Sequence, residues 1–178
     1  MLDLIAKKAA LETALYPVIG RLFGPLSRTQ FSNVLNQATT GSANTAIGRN
    51  TLTLTTTGSN NTALGSSALQ NNTTGWYNTA IGQQALQFNN TANGDNVAIG
   101  SFSMQSAQSG GKNIAVGSIS LSVVTGSRNI AIGDWAGRNV STGSRNILIE
   151  HIQGSGITTG SNNIIINPVN SSGIVSGS

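Results

Sequence analysis

One short phrase returns eight times along this chain, and its spacing constrains the fold more than any other feature of the sequence. The phrase is a Gly (Asn93 in the fourth copy), two variable residues, an Asn, three small or aliphatic residues and usually a second Gly. Its Asn falls at Asn44, Asn61, Asn78, Asn96, Asn113, Asn129, Asn146 and Asn163, at intervals of 17, 17, 18, 17, 16, 17 and 17 residues. A period this short and regular predicts a solenoid, whose coils are too small to bury a core alone and are stabilised by their neighbours. With a rise of about 4.8 Å per coil, the repeats make a shaft of about 35–40 Å.

The polarity of the chain comes from Gly, Asn, Ser and Thr, because only 8% of its residues are charged. Low charge with few aromatics often marks disorder, but here the hydrophobic residues recur at fixed phase. The formal net charge of +4 is spread along the sequence and does not by itself imply a nucleic-acid partner. The absence of Cys excludes disulfides, thiolate metal sites and a Cys nucleophile. Lys7, Lys8, Glu12 and Arg21 interrupt every apolar run near the start, and Asp3 stands where a secretory signal carries positive charge. The same charges argue against a membrane-spanning helix and predict no membrane insertion.

Three regions follow: residues 1–40, a repeat shaft over 41–167, and a tail over 168–178. In the first, Leu4, Leu11 and Val18 lie seven apart, with Met1, Lys8, Leu15 and Leu22 interleaved as in a coiled-coil seam. The pattern predicts a helix over about residues 2–16, a break at Pro17, and a second helical piece ended by Gly24-Pro25. Ser27 to Gln30 fits a capping box that opens a further helix carrying Phe31, Val34, Leu35 and Ala38. The apolar residues Leu4, Leu11, Leu15, Val18, Leu22, Phe23, Phe31 and Leu35 then either pack within the protein itself or dock it into a larger assembly.

Within the shaft, each coil is expected to offer two short strands joined by polar turns. Alternation along a strand puts the residues one and three after the Asn on one face and those two and four after it on the other. The first set, Thr45/Ile47 through Ile164/Ile166, is aliphatic or β-branched and is expected to fill the coil interior. The second set is then outward: Ala46, Gly48, Ala63, Gly65, Ala80, Gly82, Ala98, Gly100, Ala115, Gly117, Ala131 and Gly133, followed by Leu148 and Ile165. Missing side chains suit close approach of another backbone, so this face is expected to be a self-association surface, closed as a homotrimer. Leu148 and Ile165 are expected to fill a widening trimer axis. The Asn column is expected to form an internal ladder of stacked amides.

Little in the sequence points to catalysis, so a non-enzyme without cofactor or metal is expected. Asp134 and Glu150 are nearly one coil apart but occupy different columns, unlike the paired carboxylates of a glycosidase. Binding residues are easier to name. Lys112, Arg128 and Arg145 immediately precede their Asn and are expected to stack as a basic stripe, with an anionic surface polysaccharide as the matching partner. The bland alternative is a row of solvated charges. Trp76, Tyr77 and Trp135 are candidate sugar-stacking residues, or cover for the edge of the roll. Thr pairs at 39–40, 56–57, 73–74 and 158–159 leave an ice-binding solenoid as a further alternative, although the column is broken by Ala92, Ser109 and Val124.

The phrase Gly-Ser-x-Asn-Thr-Ala-Ile-Gly-x-x-Ala-Leu, in phase across 41–167, resembles the head repeats of trimeric autotransporter adhesins, and similar repeats occur in bacteriophage fibre and tail proteins. The resemblance implies a left-handed parallel β-roll, three copies of which pack side by side. The stalk and membrane anchor of the adhesins and the self-cleaving chaperone domain of many phage fibres are not read here. The expected function is therefore a short structural fibre or spike at the virion surface, made in the host cytoplasm. Residues 1–40 would dock it to a capsid or tail protein. A bacterial adhesin head fragment is the alternative.

Overall fold

A computed structural model describes Val34 and residues 40–89, 94–107, 109–150 and 157–167. The helices expected over residues 1–40, with their docking residues Leu4, Leu11, Leu15, Val18, Leu22, Phe23, Phe31 and Leu35, lie outside the described residues, as does the tail.

Each Asn-led phrase opens one short strand: β1 Thr45–Ile47, β2 Thr62–Leu64, β3 Thr79–Ile81, β4 Val97–Ile99, β5 Ile114–Val116, β6 Ile130–Ile132, β7 Ile147–Glu150 and β8 Ile164–Asn167. They form one sheet in sequence order, every neighbour parallel. Thr45 faces Thr62, which faces Thr79, and the register holds through to Glu150 opposite Asn167. The fold is a parallel β-solenoid of coils about 17 residues long.

The coil-to-coil register survives the two irregular intervals in the repeat. Across the interval of 18 residues, Thr79 pairs with Val97, and across the interval of 16, Ile114 pairs with Ile130. In the shorter coil a single residue, Thr125, links buried Val124 to buried Gly126, where the first coil has Thr56 and Thr57 between Thr55 and Gly58.

The second expected strand of each coil is absent from the described coils. Its place is taken by a turn in which alternate residues adopt left-handed backbone, as at Asn50 and Leu52 (φ 55° and 50°) or Gln84 and Leu86 (φ 57° and 50°). Coil-to-coil bonds still run along this side, from Leu52 N–H to the Ala68 carbonyl (3.2 Å) and from Leu54 N–H to that of Gln70 (3.0 Å). Alternate left-handed residues turn the side chains of Leu52, Leu69, Leu86, Met104 and Leu121 inward, where all are fully buried.

Those Leu and Met side chains decide which strand face is inside. The residues packed against them are Ala63, Ala80, Ala98, Ala115 and Ala131, each with no exposed surface. The β-branched column expected in the interior faces outward instead: Ile47, Leu64, Ile99 and Ile132 are 47%, 44%, 36% and 41% exposed. The expectation was inverted, and the reason is width. With Leu filling the coil from one wall, only a methyl group fits on the other at native packing density.

The Gly column explains why the walls are so close. Gly48, Gly65, Gly82, Gly100, Gly117 and Gly133 have φ between 128° and 136°, and a Cβ on Gly82 would stand 2.4 Å from the Gly100 carbonyl oxygen. Only Gly turns the chain off the strand that sharply while touching the next coil. Where Glu150 and Asn167 replace it, the strand runs one residue longer.

Leu148 fills a gap of similar origin. Gly137 occupies the inward Leu column, and a Cβ there would lie 2.9 Å from Leu121 Cδ2 and 3.2 Å from Leu148 Cδ1. A large residue from the strand wall thus compensates for a missing one on the opposite wall. Leu148 is fully buried and Ile165 packs against the same core.

The Asn ladder is present as expected. Asn61 donates its backbone N–H (2.9 Å) and Nδ2 (3.1 Å) to Asn44 Oδ1, and its Nδ2 also donates to the Gly75 carbonyl (2.8 Å). The pattern repeats to Asn163, which donates both groups to Asn146 Oδ1. Left-handed backbone falls on the residue before each Asn, not on the Asn itself.

Candidate functional surface

Two columns on the outer strand face carry most of the exposed large hydrophobic residues of the described shaft. One runs Thr45, Thr62, Thr79, Val97, Ile114, Ile130, Ile147, Ile164, and the other Ile47, Leu64, Ile81, Ile99, Val116, Ile132, Ile149, Ile166. No charged residue stands in either. Exposure of large aliphatic groups is 38% at Ile114 and Ile149 and rises to 67% and 54% at Ile164 and Ile166. The second column is aliphatic on all eight strands, so its side chains line up in one row along the sheet.

The residues expected at the self-association surface are not on it. Ala46, Ala63, Ala80, Ala98, Ala115 and Ala131 line the interior, as do Leu148 and Ile165. Gly48, Gly65, Gly82, Gly100, Gly117 and Gly133 sit at the corner where the strand ends, and each from Gly48 to Gly117 closely approaches the Gly of the next coil of the same chain. Alternation admits two phases, and hydrophobicity alone favours the wrong one here. The signal in the sequence was the Leu/Met column, which already supplies a filling for the coil.

The expected basic stripe is formed. Lys112, Arg128 and Arg145 occupy successive coils, all exposed, at φ 61°, 61° and 58°. Their N–H groups donate to the preceding coil, at the carbonyls of Gly94 (3.1 Å), Gly111 (3.1 Å) and Ser127 (3.0 Å). The column continues upstream through Asp95 to Tyr77, and downstream to Asn162. Tyr77 and its neighbour Trp76 are 53% and 52% exposed, with ring centroids 5.7 Å apart.

Trp135 belongs elsewhere. It lies in the turn beyond the strand, with the Arg138 guanidinium 4.4 Å above its ring centroid, so that a cation already covers one face. Asp134 caps a neighbouring turn by accepting from the Ser118 N–H (2.9 Å). Among the described residues no group of three or more His, Cys, Asp or Glu is placed to hold a metal ion. Nor is any helix among them long and apolar enough to cross a membrane.

The Thr pairs do not build a flat hydroxyl face. Thr57, Thr74 and Thr125 are exposed at a corner of the coil, outside the strands. The hydroxyls of Thr56 and Thr125 donate to carbonyls of the next coil, those of Thr73 (3.1 Å) and Ser141 (3.2 Å).

No family model, curated protein or solved structure matches this chain.

Proposed function

We propose that this protein is a non-enzymatic structural fibre, a homotrimer whose chains pack through the outer strand columns. The observation that carries the reading is the uncharged aliphatic column from Ile47 to Ile166, exposed or half-buried on every strand. Burying it lowers the free energy by about 25 cal/mol for each Å² of apolar surface removed from water. Another copy of the same chain is the natural cover. Its columns repeat at the same rise, so side chains interdigitate coil by coil without opposing charges.

In this reading the shaft is a short spike on a phage capsid or tail, with residues 1–40 as its attachment segment and host-surface adhesion as its task. The repeat phrase shared with phage fibres and adhesin heads supports that assignment. An adhesin head on a bacterial surface uses the same shaft and differs in what holds its base.

The test is the molar mass of the full chain by multi-angle light scattering. Three times the chain mass is expected over a wide concentration range. A monomer would defeat the reading, since the aliphatic strip would then face water unaided.

A further inference from the structure

We infer that the column through Lys112, Arg128 and Arg145 is a binding site for a linear anionic polysaccharide, lying along the rod axis with one acid group per coil. The inference rests on the adhesive-fibre reading for its biological sense, but the site is formed within a single chain.

The choice of residue at these positions is what needs explaining. The coil demands left-handed backbone there, and Asn, which adopts it most readily after Gly, occupies Asn60 and Asn162 in the same column. Ala43 shows that a small neutral residue also serves. The chain instead carries three long cations on consecutive coils, about 5 Å apart, where like charges repel. Among the described residues no acidic side chain pairs with any of them. Asp95 stands one coil from Lys112 in the same column, but no acidic column neighbour offsets Arg128 or Arg145, and an external polyanion would.

The spacing selects the kind of polyanion. Duplex DNA carries a charge for every ~1.7 Å of its axis, far denser than one cation per coil. A polysaccharide with one carboxylate or sulfate per sugar has a repeat comparable with the coil rise. The column also leads to the half-exposed Trp76–Tyr77 pair, whose apolar faces suit a sugar ring. Asp95, between Tyr77 and Lys112, would repel an acid group at that step, which limits the charged contact to three coils.

The experiment is fluorescence anisotropy of labelled dextran sulfate with the full chain, in a salt series. Binding is expected, with neutral dextran unable to compete. K112A/R128A/R145A should weaken it by at least about 10-fold, and D95N should strengthen it by about 2-fold. The pair R49A/R138A removes two cations outside the column and should change affinity by less than about 2-fold. Circular dichroism checks that each variant keeps the fold. Absence of binding, an equal loss in the R49A/R138A protein, or tighter binding of a single-stranded oligonucleotide would each overturn the site. Light scattering on the same samples separates the two readings. A trimer that ignores dextran sulfate defeats only this inference, and a monomer that binds it through the column defeats only the fibre.

Discussion

The first three coils and the last four share one backbone and differ in what they put on it. On the outer strand face the first column is Thr45, Thr62 and Thr79 at one end, but Ile114, Ile130, Ile147 and Ile164 at the other. Inside, one core column reads Thr55, Asn72 and Asn89, then Ala107, Val124 and Val140. Among the described residues, the buried polar atoms without a hydrogen-bond partner are Thr55 Oγ1, Asn72 Oδ1 and both side-chain polar atoms of Asn89, all in the early coils. Register and ladder are indifferent to this change, so they specify the shape. The later coils carry the more apolar core column and the more apolar outer face.

The sharpest way to break the comparison is to charge the outer face at each end. Ile132→Lys with Ile149→Lys should weaken self-association by about 3–5 kcal/mol, leaving a monomer by sedimentation velocity. Thr45→Lys with Thr62→Lys should leave most of the proposed trimer intact. Equal effects would mean that the two ends contribute alike.

Exchanging core residues between the ends has a smaller effect. Asn89→Val should stabilise the chain by about 1–3 kcal/mol, since it removes two unpartnered buried groups from a column that accepts Val elsewhere. Val124→Asn should destabilise by a similar amount. Urea denaturation followed by circular dichroism measures both, and a loss of stability in the Asn89 variant would contradict the account of that column.

The smallest change sharpens the contrast. Thr79→Ile extends the aliphatic column one coil earlier and should tighten self-association by about 0.5–1 kcal/mol, measurable by sedimentation equilibrium. No change would place Thr79 outside the contact.

Much of this molecule was legible in its sequence. The period gave the solenoid, the position of each strand and the Asn ladder, because such features depend on spacing alone. Lys112, Arg128 and Arg145 were placed correctly for the same reason. The facing of the strands was not legible from alternation, because alternation leaves the choice of inward face open. That choice depends on coil width, which is set by the Gly corners and by the Leu52-to-Leu121 column across the coil. The second strand was misjudged because left-handed backbone at residues such as Leu52 leaves little trace in residue type. Leu148 was misplaced because its partner in packing, Gly137, is eleven residues earlier and on the opposite wall.

In the 16-residue coil the corner between the core column and the Gly before the Asn absorbs the change in length while the sheet keeps its pairing. Such a corner is a splice point. Foreign peptide grafted between Thr56 and Gly58, or in the equivalent position of another coil, would hang from one edge of the shaft and leave its pitch unchanged. Several grafts would be displayed in a row at intervals set by the sheet, which makes the shaft a ruled scaffold.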